Sequence, residues 1–203
     1  MNNLQLSNGT ALVVVAHPDD ETIWMGGTIL TNHQLKWTIF SLCRYDDPDR
    51  APKFAKVCNS YNALSLISDL EDESIMNLTD SLSEIEKRVV QNLPARSFRY
   101  IFTHGESGEY GHIRHKGIYR VINNMILAGT LTCEECYHFS YRLDPNLKYC
   151  IPENRVKYRT RLPNVIFRKK RNIISKMYGF TKYSFEYRSC NQMETFSKLR
   201  LHT

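Results

Sequence analysis

The sequence predicts an α/β protein: a single Rossmann-like domain of three layers, with a mostly parallel sheet in the middle. Short apolar segments that suit buried parallel strands alternate with segments of helical periodicity. The 203 residues, of which 42% are hydrophobic and 24% charged, are enough for one domain with a sizeable core. Polar clusters follow two of the apolar segments, at the carboxyl ends of strands where open α/β sheets bind their ligands.

The first four predicted elements alternate between strand and helix. The segment 11–15 is fully apolar and rich in valine, which is typical of a buried parallel strand. A helix is predicted over 22–30, where apolar residues are available for packing on the sheet. The mainly apolar segment 36–43 predicts a second strand, and apolar residues at helical spacing predict a helix over 54–66.

Three further elements continue the alternation. Carboxylates in the first turn favour a helix that opens at Ser81 and runs to about Leu93. The apolar segment 100–103 predicts a strand, and 112–127 predicts the helix after it. Strands that alternate with helices form parallel sheets with right-handed crossovers, so we expect both polar clusters at the same edge of the sheet.

The last third of the chain gives weaker signals. Further strands are predicted at 138–142 and near 165–167, and a last helix at 172–177. The tail from about residue 189 is expected to be poorly ordered. The whole chain, 1–203, is interpreted as one domain because no linker, internal repeat or low-complexity segment divides it.

The first polar cluster is Ala-His-Pro-Asp-Asp-Glu, residues 16–21, directly after the first predicted strand. His17 and Asp20 are three residues apart, so one turn can aim both side chains at a single point. Asp19 lies between them and must point elsewhere. The pattern predicts two metal ligands and one carboxylate that is free for proton transfer.

The second cluster, residues 103–115, contains His112 and His115 at the start of a predicted helix. A histidine from this cluster would bring the ligand set of the first cluster to three nitrogen and oxygen donors. Catalytic zinc sites typically have three protein ligands and one position open for water. Asp19 and His112 would then be the acid–base groups.

The two clusters together, AHPDDE and GxYGHxxH, resemble the LmbE-like, PIG-L-type zinc deacetylases, and the resemblance covers roughly residues 10–185. It implies a zinc-dependent hydrolase that removes the acetyl group from an N-acetylated sugar or sugar conjugate of the N-acetylglucosamine type. It also implies a single zinc ion in each chain, although the same ligand set admits Fe2+.

The resemblance assigns a role to each matching residue. The metal ligands are His17, Asp20 and His115. Asp19 matches the general base that activates the metal-bound water, and His112 matches the histidine that stabilises the oxyanion or protonates the leaving amine. Tyr110 matches a mobile tyrosine that polarises the substrate carbonyl.

The chain departs from the family pattern between the two late histidines. Several members have Pro-Asp there, whereas this chain has Ile113-Arg114, so the tuning of His112 or His115 must come from elsewhere. The resemblance also implies a substrate-binding cation between the motifs. The candidates for it are Arg44, Arg50 and Lys53.

Two other functions are compatible with the sequence. The site chemistry does not fix which amine carries the acyl group, so a metal-dependent amidohydrolase acting on another acylated amine is one alternative. The other is an anionic-glycan-binding protein with a vestigial site. The presence of Asp19 and His112 argues against it, because binding needs no spare base.

Positive charge is concentrated in the last quarter of the chain. The net charge is +6, but residues 151–203 alone contain 13 basic and 3 acidic side chains. The basic run 168–171 is either a solvated face or a surface that attracts an anionic sugar conjugate or a membrane. No nucleic-acid-binding module is recognisable, so nucleic acid is not an expected partner.

Cysteine content and hydropathy bear on the compartment. The 6 cysteines do not suggest a disulfide framework, and the isolated CxxC of Cys133 and Cys136 is either a plain loop with two thiols or a second metal or redox site. No apolar run approaches the ~20 residues that span a bilayer, and residues 1–10 do not have the pattern of a secretory signal. We therefore expect a cytoplasmic protein; the oligomeric state is not predicted.

Overall fold

The computed structural model describes residues 2–73 and 75–199, within which ten strands form an eight-stranded sheet and a separate two-stranded sheet. The strands are β1 Asn2–Asn3, β2 Gly9–Val15, β3 Leu35–Ser41, β4 Leu64–Ile67, β5 Ser97–Thr103, β6 Thr132–Phe139, β7 Tyr141–Leu143, β8 Cys150–Pro152, β9 Tyr158–Arg161 and β10 Met193–Lys198. The helices are α1 Asp20–Thr31, α2 Arg50–Ser60, α3 Leu78–Asn92, α4 Gly108–Gly111, α5 Ile113–Leu127, α6 Asn164–Asn172 and α7 Phe185–Ser189, with a π-helical turn at Ile173–Met177.

The large sheet has the strand order β1-β9-β10-β6-β5-β2-β3-β4. Strands β4, β3, β2, β5 and β6 pair in parallel, whereas β10 is antiparallel to both β6 and β9. This confirms the α/β fold with a mostly parallel sheet. β2 lies between β3 and β5, and its Val14 is opposite Thr103 of β5, so the segments that follow β2 and β5 begin side by side.

Apolar residues on both faces of the parallel strands form two core layers. Along β2, Val13 and Val15 belong to one layer, and Leu12 and Val14 belong to the other. Residues of α1 and α2 pack in the first layer, and residues of α3 and α5 pack in the second. The end of β2 is therefore apolar at every position because neither of its faces contacts water.

The helix predicted over 54–66 is instead two elements, because α2 ends at Ser60 and β4 begins at Leu64. Asn62 has a φ of 55°, in the left-handed region that commonly terminates helices. The prediction failed because Leu64 falls at the helical spacing of the apolar residues before it.

The last third of the chain differs most from the prediction. The strand predicted at 138–142 is the end of β6 followed by β7, and the strand predicted near 165–167 lies inside α6. The helix predicted at 172–177 is mainly the π-helical turn that continues α6. These segments depend on packing against distant parts of the chain, which local periodicity does not report.

The tail, expected to be poorly ordered from about residue 189, contains strand β10. Residues 193–198 pair with β6 on one side and β9 on the other, so the expectation is wrong for this segment. Residues 200–203 lie outside the described residues. The strand escaped recognition because polar residues are buried in it, Glu194 and Thr195 among them.

A buried carboxylate on β10 contacts both α1 and α6. Helix α1 is interrupted at Met25, whose φ of −145° is non-helical, and the N–H groups of Gly27 and Thr28 donate to the Glu194 carboxylate at 2.8 and 2.7 Å. Lys170 of α6 lies 2.7 Å from the same carboxylate, and both charged side chains are fully buried. Glu194 therefore replaces hydrogen bonds that α1 loses at its interruption.

The basic run 168–171 is not a uniform charged face. Lys170 is buried, and the guanidinium of Arg171 lies over two aromatic rings, 5.0 and 4.4 Å from their centroids. Arg168 and Lys169 are exposed. The interpretation of the run as one solvated or anion-attracting surface is therefore wrong for Lys170.

All 6 cysteines are free thiols. Cys133 and Cys136 lie on β6, not in a loop, and neither belongs to a group of described residues whose donor atoms could share a metal ion. Among the described residues, no helix combines the length and the apolarity that crossing a membrane requires.

Candidate metal centre and active site

Two segments that follow neighbouring parallel strands meet at one end of the sheet. The segment 16–21 follows β2 and includes the first two residues of α1, and the segment after β5 passes through the short helix α4 to α5. His17 and Asp20 come from the first segment, and His115 comes from the first turn of α5. The topology brings together side chains that are as much as 98 residues apart in the chain.

Three donor atoms of these residues form a nearly equilateral triangle, called the ligand triangle below. The distance from His17 Nδ1 to Asp20 Oδ2 is 3.2 Å, from His17 Nδ1 to His115 Nε2 3.3 Å, and from Asp20 Oδ2 to His115 Nε2 3.4 Å. Tetrahedral zinc with ligand bonds of ~2.0–2.1 Å places neighbouring donors roughly 3.3–3.4 Å apart. The donor types and their spacing therefore fit a zinc ion with a fourth position left for another ligand.

The second ring nitrogen of each histidine is held by a carboxylate. His115 Nδ1 lies 2.6 Å from Glu109 Oε2, and His17 Nε2 lies 2.9 Å from Asp72 Oδ2. A carboxylate that accepts a hydrogen bond from one nitrogen fixes the tautomer in which the other nitrogen is unprotonated. In both histidines, the nitrogen left unprotonated in the neutral ring is the one at the corner of the ligand triangle.

The charges around the ligand triangle favour a cation at its centre. Burial alone favours neutral imidazole, but the carboxylates of Asp20 and Asp72 outweigh it and raise the pKa of His17 to about 10. The pKa of His115 is also raised, against its burial, by Asp20 and Glu109. Burial opposes ionisation of Asp20, but the neighbouring histidines hold its pKa well below the usual range. A divalent cation would satisfy the same preference for positive charge.

Asp19 is not a member of any group of described residues whose donor atoms lie close enough to share a metal ion. Its φ of 124° is strained for a residue other than glycine. Its Oδ2 lies 2.6 Å from Nη1 of Arg50. Burial and the charge of Asp20 raise the pKa of Asp19 well above the usual range, despite Arg50. A buried carboxylate with a raised pKa beside a metal centre is suited to accept a proton.

His112 immediately precedes α5. Its Nδ1 accepts a hydrogen bond of 3.3 Å from the N–H of Arg114, so the proton of the neutral ring is on Nε2. Burial and the neighbouring His115 and His17 lower the pKa of His112 to about 3. His112 is therefore a neutral hydrogen-bond donor at the cavity that it lines.

A cavity of about 340 Å³ opens beside the ligand triangle. The residues that line it are His17, Pro18, Asp19, Asp20, Ile23, Trp24, Arg44, Asp47, Arg50, Tyr110, His112, Phe185 and Glu186. Tyr110 packs edge-on against His115 and Phe185, with ring centroids 5.1 and 4.8 Å away. The predicted catalytic residues Asp19, His112 and Tyr110 thus share one cavity.

Two of the three candidate substrate-binding cations line this cavity. Arg50 pairs with Asp19, and Arg44 pairs with Asp72 at 3.0 Å. Lys53 is not among the lining residues, and its Nζ pairs at 2.6 Å with a carboxylate four residues earlier. The structure therefore favours Arg44 and Arg50 over Lys53 as substrate-binding residues.

Two carboxylates at the site were not predicted from the sequence. Glu109 accepts hydrogen bonds from Nδ1 of both His104 and His115, and His104 Nε2 accepts one from the N–H of Ala16. Glu109 thus supplies the acidic partner of His115 that position 114 lacks, and its place among histidines was a usable signal. Asp72 lies in an acidic segment where no pattern singles it out.

Glu21 supports the loop between β2 and α1. Its carboxylate accepts hydrogen bonds from the N–H of Asp19 at 3.1 Å, from Thr22 Oγ1 at 2.5 Å and from the hydroxyl of Tyr178 at 2.8 Å. The side chain is fully buried, which raises the pKa of Glu21 to about 7. These contacts hold the strained backbone of Asp19 in place.

Comparison with known families identifies the family of this chain. The sequence pattern of the PIG-L family, described as GlcNAc-PI de-N-acetylase, matches residues 12–126, which include both polar clusters and more than half of the chain. The chain belongs to the PIG-L family. The resemblance inferred from the two motifs is therefore confirmed.

Relatives of this PIG-L protein show how widely the fold is used. An uncharacterized protein of Acanthamoeba polyphaga mimivirus is 26% identical over 125 residues, which are 55% of this chain and 55% of that protein, so the match spans about half of the relative's length. The 4-carboxy-2-hydroxymuconate hydratase GalB of Pseudomonas putida matches 96% of this chain and 97% of its own, with a TM-score of 0.62 and 15% identity. N,N'-diacetylchitobiose deacetylase of Pyrococcus horikoshii matches 94% of this chain and 83% of its own, with a TM-score of 0.55 and 13% identity. At these identities the two solved structures show a shared fold.

Proposed function

We propose that this PIG-L protein is a zinc-dependent deacetylase that hydrolyses the amide of an N-acetylated sugar or sugar conjugate, giving acetate and an amine. The observation that carries the proposal is the ligand triangle of His17, Asp20 and His115, with Asp19 and His112 beside it in one cavity. A metal centre flanked by a base and a hydrogen-bond donor has the parts that amide hydrolysis requires.

Zinc held by His17, Asp20 and His115 would supply an activated water and polarise the acyl oxygen of the substrate. Asp19 takes the proton from the attacking water, because burial favours its protonated form and its carboxylate lines the cavity without belonging to the ligand triangle. Asp19 then gives this proton to the departing amine. Arg50, 2.6 Å from the Asp19 carboxylate, keeps that side chain in position.

His112 acts on the acyl oxygen. Its Nε2–H donates a hydrogen bond as negative charge develops there, and such donors contribute roughly 2.7–4 kcal/mol in comparable sites. Of the two roles that the family resemblance implies, we assign His112 to oxyanion stabilisation, because its pKa of about 3 leaves the ring neutral at physiological pH. Tyr110, on the same cavity, is proposed to add a second donor.

The lining of the cavity suits a substrate in which a sugar carries the acetylated amine. Arg44 and Arg50 supply donors for sugar hydroxyls or for an attached anionic group, and Trp24 and Phe185 supply aromatic surface. We propose a substrate of the N-acetylglucosamine type, a reaction in the cytoplasm and no role for nucleic acid. The same ligands would also accept Fe2+, so the identity of the metal as zinc is itself proposed.

The test measures bound metal and released acetate on the same protein. The zinc-loaded protein is given N-acetylglucosamine, N,N'-diacetylchitobiose and N-acetylglucosaminyl-phosphatidylinositol, with N-acetyl amino acids as the comparison. We expect bound zinc in the wild type, none in His115→Ala, and acetate from at least one of the sugars.

Other outcomes would contradict the proposal. Acetate from the amino acids alone would identify an amidohydrolase of another acylated amine. Binding of a sugar without acetate release would indicate a vestigial site. One structural neighbour is a hydratase, and a hydratase would consume a substrate without releasing acetate. Loss of an added substrate is therefore taken as deacetylation only when acetate appears.

A further inference from the structure

Asp72 lies outside both sequence motifs, in the segment that follows β4. Its side chain is 9% exposed, and its Oδ2 lies 2.9 Å from Nε2 of His17 and 3.0 Å from Nη2 of Arg44. Its Oδ1 lies 3.8 Å from Nε2 of His112. One carboxylate therefore contacts a proposed metal ligand and a candidate substrate-binding residue, and approaches the proposed oxyanion donor.

Arg114 holds the segment that carries Asp72. Its side chain is fully buried; its Nε donates to the carbonyl of Glu71 at 2.6 Å, and its Nη2 lies 2.5 Å from the Glu71 carboxylate. Nη2 also donates to the carbonyl of Met76 at 2.9 Å. Helix α5 thus presents His115 to the ligand triangle and, from the preceding residue, fixes the segment that reaches His17.

We propose that Asp72 is a positioning residue for His17, and that Arg114 keeps Asp72 in place through Glu71. The inference rests on the proposed function, because it takes His17 as a metal ligand. By accepting the hydrogen bond of Nε2–H, Asp72 holds the imidazole plane and leaves the lone pair of Nδ1 directed into the ligand triangle. Loss of such a partner typically weakens metal binding about 10- to 100-fold.

The geometry places Asp72 behind His17 and not among the ligands. Asp72 contacts Nε2, whereas the nitrogen at the corner of the ligand triangle is Nδ1. Donor atoms of His17, Cys43 and Asp72 also lie within 4.8 Å of one another. A metal bound by that group would appear as a second ion in the wild type, so metal stoichiometry separates a ligand from a positioning residue.

The test compares Asp72→Ala and Asp72→Asn with Glu73→Ala as the matched control. Glu73 lies on the same segment and also pairs with Arg44, at 3.3 Å, but its side chain is 73% exposed. Zinc dissociation constants are measured by competition with a chelator. The visible spectrum of the Co2+-substituted protein reports the geometry of the ligands.

We expect Asp72→Ala to weaken zinc binding about 10- to 100-fold and to change the Co2+ spectrum. Asp72→Asn should weaken it less, because the amide oxygen still accepts the hydrogen bond from His17. Glu73→Ala should match the wild type in both measurements. Arg114→Met, which removes no contact to His17, should also weaken zinc binding, and thermal unfolding without zinc shows whether each variant is folded.

The contrary outcomes distinguish the inference from the proposed function. A folded Asp72→Ala variant with the zinc affinity and Co2+ spectrum of the wild type would overturn the inference alone. Two zinc ions in the wild type and a single one in Asp72→Ala would make Asp72 a ligand of a second site. A wild type that binds no zinc would overturn the proposed function itself.

Discussion

The backbone of Asp19 has a φ of 124°, and its carboxylate pairs with Arg50, whereas the next residue, Asp20, contributes to the ligand triangle. Such a conformation costs about 1–3 kcal/mol in a residue other than glycine. The carbonyl of Asp19 accepts hydrogen bonds from the N–H groups of Thr22 and Ile23, and its own N–H donates to Glu21. The first turn of α1 thereby offsets the strain, and two consecutive aspartates can serve as base and as ligand.

We expect Asp19→Asn to keep its zinc and to lose about 10²–10⁴ in kcat, the usual contribution of a positioned base. Asparagine is nearly isosteric, but its amide cannot take the proton of the attacking water. The measurement is kcat for acetate release together with zinc content, and the neighbouring change Asp20→Asn should lose the zinc instead. Full activity in Asp19→Asn would remove it as the base, and zinc loss there would mean that the two aspartates exchange roles.

Helix α1, which contributes Asp20, depends on an element from the other end of the sequence. The N–H groups freed by its interruption at Met25 donate to Glu194 of β10, which is paired with Lys170 of α6. Both charges are fully buried, so neither has water to replace a lost partner. The geometry of the helix therefore depends on a contact between three elements.

We expect Lys170→Met to lower the free energy of unfolding by about 3–5 kcal/mol, because it leaves the Glu194 carboxylate buried without its cation. Lys169→Met, the adjacent and exposed position, should change it by no more than ~0.5 kcal/mol. Denaturant unfolding of both variants is the measurement. Similar losses in the two would show that the pair contributes little, and the variant Lys170→Met/Glu194→Gln should recover part of the loss.

Apart from β4, which the apolar spacing assigns to the end of a helix, the main strands and helices from β2 to α5 were predictable because their apolar periodicity is local and follows directly from packing on a parallel sheet. Beyond α5, Lys170 and Glu194 resemble surface residues in sequence, and only their mutual contact permits burial. The same distinction holds at the site. His17 and Asp20 are recognisable in the sequence by their spacing. Asp72, in contrast, is 55 residues away from His17 in the chain, and no motif indicates that the two side chains meet.

On the scale of the whole molecule, zinc would link two segments of the chain that are already held near each other by the pairing of β2 with β5. The two core layers are built from apolar side chains on both faces of the sheet, whereas the three proposed ligands lie where β2 and β5 end, so the metal would act at one end of the sheet. Zinc would add a bond between the segment after β2 and the start of α5. Zinc binding should therefore increase the stability of the folded protein, but the metal-free protein should remain folded.

We expect zinc at a hundred times its dissociation constant to stabilise the protein by about 2.7 kcal/mol, which raises Tm by roughly 5–10 °C in a chain of this size. If the zinc concentration is then held constant, the shift in Tm should shrink as the pH falls from 7 to 5. Protons compete with zinc for His17 and His115, whose pKa values are raised. Calorimetry with zinc and with a chelator measures it. His115→Ala should show no zinc-dependent shift at any pH, and a shift equal to that of the wild type would place the metal elsewhere.

The contact between Glu194 and α1 also has a consequence for biosynthesis. The ribosome adds Gly27 to the chain 167 residues before it adds the carboxylate that accepts its N–H. Until β10 has left the exit tunnel, the helix that begins with Asp20 lacks these acceptors, and strands β6 and β9 have an unpaired side. This part of the domain is therefore completed only after residues 193–198 have been translated, and a nascent polypeptide interrupted before β10 cannot assemble it.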